Sequence, residues 1–156
     1  MAIVVRPATR EDAETIADLA LQLVAQHVGY DPVRFSNIGG RDDMSRYYGG
    51  LADEKGAAVL VAADGANVVG FAYVEFEPIL YAALAVKVAW LHDIFVVDGS
   101  RGTGAGHLLI ESAAREAKRL GATKMLLSVA AANTNAKSFF EHEGFRLTMH
   151  EMMLGL

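Results

Sequence analysis

The chain between Trp90 and His107 reads WLHDIFVVDGSRGTGAGH and passes from an apolar strand into a glycine-rich turn. Glycines occupy alternate positions of the turn, at Gly102, Gly104 and Gly106, and an amphipathic helix follows directly. Glycine leaves backbone N–H groups uncovered, and the first turn of a helix carries roughly half a positive charge. The stretch therefore predicts a site for an anion, and a phosphate fits it best.

The spacing of these glycines separates three kinds of phosphate-binding motif. A dinucleotide fingerprint needs Gly-x-Gly-x-x-Gly and an acid about 20 positions on. Here the third glycine comes one residue early, and residues 124–127 contain no acid. A Walker A loop needs a lysine after its glycines, and none follows. The pattern Arg-x-x-Gly-x-Gly does fit, through Arg101, Gly104 and Gly106.

Three motifs together resemble the GCN5-related N-acetyltransferase (GNAT) family. Residues 3–12 (IVVRPATRED) are similar to its usual opening, residues 101–106 to its acetyl-CoA pyrophosphate loop, and residues 133–145 (NTNAKSFFEHEGF) to its third signature. The motifs stand in the family's order, and the resemblance covers nearly the whole chain. Residues 90–96 further resemble the polyamine and diamine acetyltransferase branch. The resemblance implies acetyl-CoA as the co-substrate.

Length and composition indicate one globular domain over residues 1–156. The chain is 53% hydrophobic and 21% charged, and a chain of this length buries about 68–70% of its unfolded surface. The sequence has no unbroken apolar run of about 18 residues, so no membrane segment is predicted. The net charge of −5 argues against nucleic acid as a partner and mildly favours a cationic small molecule.

The chain contains no cysteine, which excludes disulfides, thiolate catalysis and Cys-ligated zinc. No metal is expected. The opening residues read as a short strand and lack the charged, apolar and small-residue order of a signal peptide. A cytoplasmic location is therefore expected.

Hydrophobic periodicity and turn residues predict the element order β-α-α-β-β-β-α-β-α-β. This order implies an α/β fold with a mixed sheet and helices on both faces. The resemblance implies the GNAT fold, with six to seven mostly antiparallel strands. Pro78 is expected to end a strand, and the conformation of residues 79–87 stays open. Helices are expected from Thr9, over 42–53, over 104–120 and from Asn133. Strands are expected over 1–7, 57–63, 68–77, 88–97 and 124–130, and a last strand or hairpin over 145–154.

The resemblance implies a cofactor site in three parts. The pantetheine and acetyl groups are expected on the main chain of Ile94, Phe95 and Val96, where the family's central strand separates from its neighbour. Asn133 is expected to orient the cofactor, although Asn is also a preferred helix N-cap. The pyrophosphate is expected on the amides of Arg101, Gly102, Thr103, Gly104, Ala105 and Gly106, with His107 just inside the helix.

The implied reaction is direct attack of a neutral amine on the thioester, so a base must first remove a proton. His92 stands where the resembling branch has a carboxylate, and imidazole is a suitable base near neutral pH. Asp93 should face the other way by alternation, unless the strand is bulged there as in this family. Glu75 shares a strand face with Tyr73 and Glu77, and it is a second candidate for the base or for holding a cationic substrate.

The leaving thiolate needs a proton, for which the family commonly uses a tyrosine in its third motif. This chain has Phe140 at that position of the cofactor site. A thiolate is a tolerable leaving group, so the loss slows the reaction without forbidding it. Water, His92 after it has taken a proton, Tyr73 and Tyr81 are the alternative proton sources.

The sequence therefore predicts an acetyl-CoA-dependent N-acetyltransferase that acts on the primary amine of a small molecule, such as a polyamine, an amino acid or an aminoglycoside. The alternatives are a catalytically poor acyl-CoA sensor, indicated by Phe140 and His92, and an N-terminal acetyltransferase of peptides or proteins. A homodimer is expected, since these folds often pair through edge strands. Met149, Met152 and Met153 are candidates for its contacts.

Overall fold

The computed structural model describes residues 2–156 and contains one five-stranded sheet in the order β1-β2-β3-β4-β5. The strands are β1 Ile3–Pro7, β2 Ala57–Asp64, β3 Asn67–Leu80, β4 Ala85–Val96 and β5 Lys124–Leu126. The helices of this part of the chain are α1 Ala13–Tyr30, α2 Arg41–Leu51, α3 Ala105–Leu120 and α4 Thr134–His142. Only the pairing of β4 with β5 is parallel, so the expected mixed, mostly antiparallel sheet is confirmed. The expected first strand began at Met1, which lies outside the described residues.

The two faces of the sheet bury separate apolar clusters, as strand alternation requires. On β3, Phe71 and Tyr73 face α1 and α2, whereas Ala72 and Val74 face α3. Helices therefore cover both faces, as predicted. The α1–α2 cluster includes Ile16, Leu19, Tyr48, Val61 and Phe95, and the α3–α4 cluster includes Leu91, Leu109, Ala113 and Phe140.

Pro78 does not end β3, contrary to expectation. The strand continues to Leu80, a short 3-10 turn covers Tyr81–Ala83, and β4 returns from Ala85. The last pair between β2 and β3 joins Ala57 to Glu75. Beyond that pair β3 has only β4 as a neighbour, and an edge position tolerates proline because one side of the strand needs no N–H donor. Residues 79–87 thus form the tip of a long hairpin.

The sheet has fewer strands than the six to seven expected, because the C-terminal predictions fail. The strand predicted over 124–130 ends at Leu126, and no residue from 145 to 156 belongs to a helix or strand. These residues have β-prone sequences, but a strand also needs a neighbouring ladder to satisfy its backbone. In the described chain, neither 127–130 nor 145–156 has one.

Within residues 2–156, no helix is both long enough and apolar enough to cross a lipid bilayer.

A buried carboxylate joins β1 to the start of α1. Asp12 accepts two hydrogen bonds from the Arg6 guanidinium, at 2.7 and 2.9 Å, and one from the Thr9 backbone N–H at 2.8 Å. The hydrogen bonding with Arg6 is the main reason that the pKa of Asp12 falls from 3.8 to about 2. The ionised carboxylate of Asp12 therefore stabilises the folded state relative to the unfolded state.

We predict that Asp12→Asn lowers the free energy of unfolding at pH 7 by about 1–2 kcal/mol. This loss is smaller than the full pKa shift of Asp12 implies, because Arg6 is partly exposed and solvent screens the ion pair. The folded-state pKa is depressed, so this contribution is present above about pH 4 and is lost as the pH falls towards 2. Urea unfolding of both proteins at several pH values measures it. The control is Asp42→Asn in an exposed position of α2, and an equal loss in the two variants would contradict the assignment.

Candidate active site

The glycine-rich turn forms a backbone cradle at the start of α3. Gly102 has φ of 79° and Gly104 has φ of 90°, values that L side chains rarely adopt. The space where their Cβ atoms would lie is free of protein atoms within 4 Å. Gly106 is needed for a different reason, since a Cβ there would lie 3.1 Å from the Phe139 ring of α4. The turn is open on one side and packed on the other.

Side chains brace this loop and leave the amides of residues 102–107 available, whereas the Arg101 N–H, also expected at the pyrophosphate, donates to the Asp98 carbonyl at 3.2 Å. The Arg101 Nε donates to the Val96 carbonyl at 3.2 Å, its Nη1 lies 2.9 Å from Asp98, and the Thr103 hydroxyl donates to the Ser100 carbonyl at 2.6 Å. In the described chain, no backbone N–H of residues 102–107 donates to another backbone group. These N–H groups, with the helix dipole behind them, fit a pyrophosphate.

The central strand opens beside its parallel neighbour. β5 pairs with β4 only from Val88 to Trp90. Beyond Trp90, β4 runs on to Val96 with β3 as its only ladder partner among residues 2–156. Ile94, Phe95 and Val96 therefore lie on a strand with one open edge, which is the arrangement that an extended amide-bearing ligand needs for backbone hydrogen bonds.

The other residues expected at the cofactor have distinct surroundings. The Asn133 side-chain oxygen accepts from the Ala136 N–H at 3.1 Å and so caps α4. His107 Nδ1 lies 2.9 Å from a Glu143 carboxylate oxygen, and this hydrogen bond raises the pKa of His107. A positive charge is thus favoured in the first turn of α3. Phe140 is only 8% exposed and belongs to the α3–α4 cluster.

A β-bulge brings the two candidate bases of β4 onto one face. Tyr73 pairs with Asp93, but the next residue, Val74, pairs with Leu91, which leaves His92 as an extra residue. Simple alternation would place His92 and Asp93 on opposite faces. Because of the bulge, both line the same cavity between the sheet and the α1–α2 pair.

His92 shares a carboxylate with a tyrosine. Its ring stacks on Tyr73 with centroids 4.8 Å apart, and its Nε2 lies 3.2 Å from a Glu75 oxygen. The Tyr73 hydroxyl donates to that same oxygen at 2.7 Å. Burial, followed by the bond to Glu75, raises the pKa of Tyr73, so this phenol holds its proton at neutral pH. The predicted residues Glu75 and His92 are therefore in contact.

Asp93 lies deeper and has a different partner. Tyr48 of α2 donates a hydrogen bond to the Asp93 carboxylate at 2.8 Å. Burial raises the pKa of Asp93, although Tyr48 and the nearby His92 oppose that rise. Burial also raises the pKa of Tyr48, so its hydroxyl remains a donor. Asp93 is thus anchored from across the cavity.

The cavity has a volume of about 460 Å³, and the sequence analysis missed much of its wall. Tyr47, Tyr48 and Met44 of α2 and Ile38 of the preceding segment line it. The spacing of Met44, Tyr48 and Leu51 at i, i+4 and i+7 was an available signal for the inner face of α2. Tyr81, considered as a proton donor, is 81% exposed in the distal hairpin turn and does not line the cavity.

Residues 28–145 match the sequence profile of the acetyltransferase (GNAT) family. The chain belongs to this family. The resemblance stated from its motifs is thereby confirmed, together with the class of N-acetyltransferase and the use of acetyl-CoA as co-substrate. The cradle and the open edge of β4 fit that co-substrate. Assignment to the polyamine branch stays a prediction.

Solved structures share the fold at low sequence identity. A tetramutant of the BH1408 protein from Bacillus halodurans is 23% identical, with a TM-score of 0.83 over 98% of this chain and 99% of that one. The aminoglycoside N-acetyltransferase AAC(6')-Iy in complex with CoA is 19% identical, with a TM-score of 0.81 over 99% and 94%. Ribosomal-protein-alanine N-acetyltransferase from Brucella melitensis biovar Abortus 2308 is 18% identical, with a TM-score of 0.71 over the full length of both chains. The comparison with curated proteins found no match.

We predict that Gly104→Val weakens coenzyme A binding at least about 10-fold, because a β-branched residue is strained at φ of 90° and its side chain fills the open side of the cradle. Isothermal titration calorimetry with coenzyme A measures the loss, and circular dichroism checks the fold. The matched control is Gly99→Ala, since a Cβ there meets no atom within 4 Å and its φ is not positive. Undiminished affinity in folded Gly104→Val would contradict the location of the cradle.

Proposed function

We propose that the protein transfers the acetyl group of acetyl-CoA to the primary amine of a small molecule. The bulge at His92 carries this proposal, because it directs His92 and Asp93 into one cavity. His92 also lies in the same open-edged part of β4 as Ile94–Val96, beyond the last pair with β5 at Trp90. The candidate base and the expected acetyl-group site are thus joined by a few residues of one strand.

His92 is the base in this proposal, and Glu75 positions it. When the Nε2 proton points at Glu75, Nδ1 keeps the basic lone pair. Nδ1 accepts the proton of the substrate ammonium, directly or through a water, and the Glu75 carboxylate stabilises the imidazolium that results. Bound acetyl-CoA supplies the acyl group as an activated thioester. Asp93 contributes negative charge near the ammonium.

The surroundings of Phe140, Tyr73 and His92 also bear on which group gives the leaving thiolate its proton. Phe140 has no hydroxyl and is buried in the α3–α4 cluster. Tyr73 is a poor acid because its pKa is raised by burial and by Glu75. We therefore favour His92 as both base and subsequent proton donor, returning to the thiolate the proton taken from the ammonium, while the second proton lost by the nitrogen leaves to water.

The second candidate function is an acyl-CoA sensor with little activity, which the buried Phe140 favours. N-terminal acetylation of a protein is the third candidate, and the exposed residues Ile38 and Gly39 of the cavity wall would lie against such a substrate. Mixing the protein with acetyl-CoA and a panel of amines and peptides, and following free thiol release, separates the three. Release with a small amine supports our proposal, whereas tight coenzyme A binding without release across the panel supports the sensor.

We predict that His92→Ala lowers kcat about 10²-fold or more and flattens the pH profile of kcat/KM, because the proposed general base is lost. Glu75→Gln should lower kcat less, since His92 remains but its imidazolium loses a carboxylate. Steady-state kinetics from about pH 6 to about pH 9 measures both. A matched control is His150→Ala in the exposed C-terminal segment. If His92→Ala left the pH profile of kcat/KM unchanged, His92 would not be the base, and Glu75 or Asp93 would take that role.

We also propose a homodimer in which the C-terminal segment of one copy pairs beside β5 of the other. Leu147, Met149, Met152 and Met153 are each more than half exposed. Within the described chain, residues 146–156 join no ladder, and residues 127–130, which follow β5, join none either. Two segments with β-prone sequences and unpaired backbones can satisfy each other between copies.

For the dimer, we predict that Met149→Glu with Met153→Glu shifts the protein from dimer to monomer in light scattering after gel filtration, because charges replace apolar contacts. The control is Leu84→Glu, 95% exposed in the turn between β3 and β4. A wild-type protein that is monomeric at high concentration would refute the proposal. The cytoplasmic location stays a prediction, which cell fractionation tests.

A further inference from the structure

We propose that the amine substrate carries a single ammonium group on an apolar body and has no carboxylate. This inference rests on the proposed function and specifies the substrate class of the same site. It follows from how charged and apolar groups are distributed around the cavity.

The half of the cavity formed by the helices is lined mainly by aliphatic and tyrosine side chains, together with the carboxylate of Asp43. Leu23 and Val24 of α1, Ile38 before α2 and Met44 of α2 line it. The opposite wall carries Tyr73, His92 and Asp93 of the sheet. An amine bound with its nitrogen at His92 must therefore place the rest of its body against aliphatic side chains, where burial of apolar surface is favourable.

Every carboxylate near the cavity already has a partner. Asp93 accepts from Tyr48, and Glu75 accepts from Tyr73 beside His92. Asp43, in the half formed by the helices, is bonded to Arg46 and to the Gly40 N–H. One ammonium can be held at the sheet wall. A second one at the far end would take the place of apolar groups that contact Ile38 and Met44, and the Asp43 carboxylate there is already paired with Arg46. Because Ile38 is 67% exposed, this second ammonium stays hydrated, so a diamine or polyamine loses apolar contact without gaining a strong ion pair.

Cations for a substrate carboxylate are lacking too. Among the described residues, no Lys or Arg lines the cavity. The nearest arginines in sequence are all engaged, Arg34 with Glu151, Arg41 with Asp18 and Arg46 with Asp43. An amino acid would bring its carboxylate towards Asp93 and Glu75, which repel it. The cavity therefore disfavours amino acids as well.

Three tyrosines supply the recognition that one ammonium needs. Tyr47 packs edge-on against Tyr48 and Tyr73, with centroids 5.1 and 6.1 Å apart. Tyr48 and Tyr73 are also edge-on, at 6.4 Å. The Tyr48 hydroxyl is held by Asp93 and the Tyr73 hydroxyl by Glu75, so these two rings are fixed. Fixed aromatic rings beside carboxylates suit a cation that also has an apolar surface.

Two matched pairs of amines test this class. Hexylamine and 1,6-diaminohexane differ at the far end by one ammonium, and phenethylamine and phenylalanine differ by one carboxylate. We expect kcat/KM to be about 5-fold higher for hexylamine, because its terminal methyl group gains apolar contact where the diamine has a hydrated ammonium. We expect a similar preference for phenethylamine, because the carboxylate of phenylalanine lies near Asp93 and Glu75 with no cation to pair with. Equal or higher kcat/KM for the diamine or for phenylalanine would overturn the substrate class while leaving acetyl transfer intact. Silence towards all four amines, spermidine and kanamycin would overturn both proposals.

A charge introduced at the far end tests the geometry. Ile38→Glu supplies a free carboxylate there, and the hexylamine to diaminohexane ratio of kcat/KM should fall about 3-fold or more, because an exposed ion pair replaces an apolar contact. Val33→Glu is the matched control, since Val33 lies in the same segment, is 76% exposed and does not line the cavity. The ratio should stay unchanged in the control. An unchanged ratio in Ile38→Glu would overturn the proposed orientation of the amine.

Discussion

The site depends on one extra residue in β4. Because the pairing of β3 with β4 skips His92, the strand changes phase between Leu91 and Asp93. Leu91 still faces α3, whereas His92 and Asp93 both face the helices of the other side. The bulge thus turns two consecutive residues into neighbours on one wall. It also leaves Phe95 in phase with the α1–α2 cluster, so the strand reaches the glycine turn with its packing intact.

The part of the site proposed for the cofactor depends on a different constraint, which is that backbone N–H and C=O groups need hydrogen-bond partners. A helix start leaves N–H donors without partners, and a strand that outlasts its neighbour leaves an unpaired edge. In most folds such features are capped or covered. Here the start of α3 and the open edge of β4 adjoin, and the side chains of Arg101 and Thr103 hold the loop between them. The proposed cofactor site is therefore built from backbone groups rather than from a set of side chains.

Sequence reasoning succeeded where the determinant was local. The glycine turn, the helix from Ala105 to Gly121 and the cap at Asn133 each follow from a few adjacent residues. It failed where a distant partner decides the outcome. Residues 145–154 alternate like a strand, but a strand forms only beside another strand. Tyr48 lies 45 positions from Asp93, and no local pattern couples them. The bulge was expected only through the family resemblance, because alternation alone predicts the opposite faces.

The two walls of the cavity come from separate parts of the chain. The sheet wall holds Tyr73, His92 and Asp93 in the β3–β4 ladder, while the facing wall comes from α1, α2 and the segment joining them. A substitution in the facing wall leaves the ladder untouched. In the proposed site, the choice of substrate can therefore change through residues such as Ile38 and Met44 while the residues proposed for proton transfer stay in place, so that one sheet can serve acceptors of different shapes.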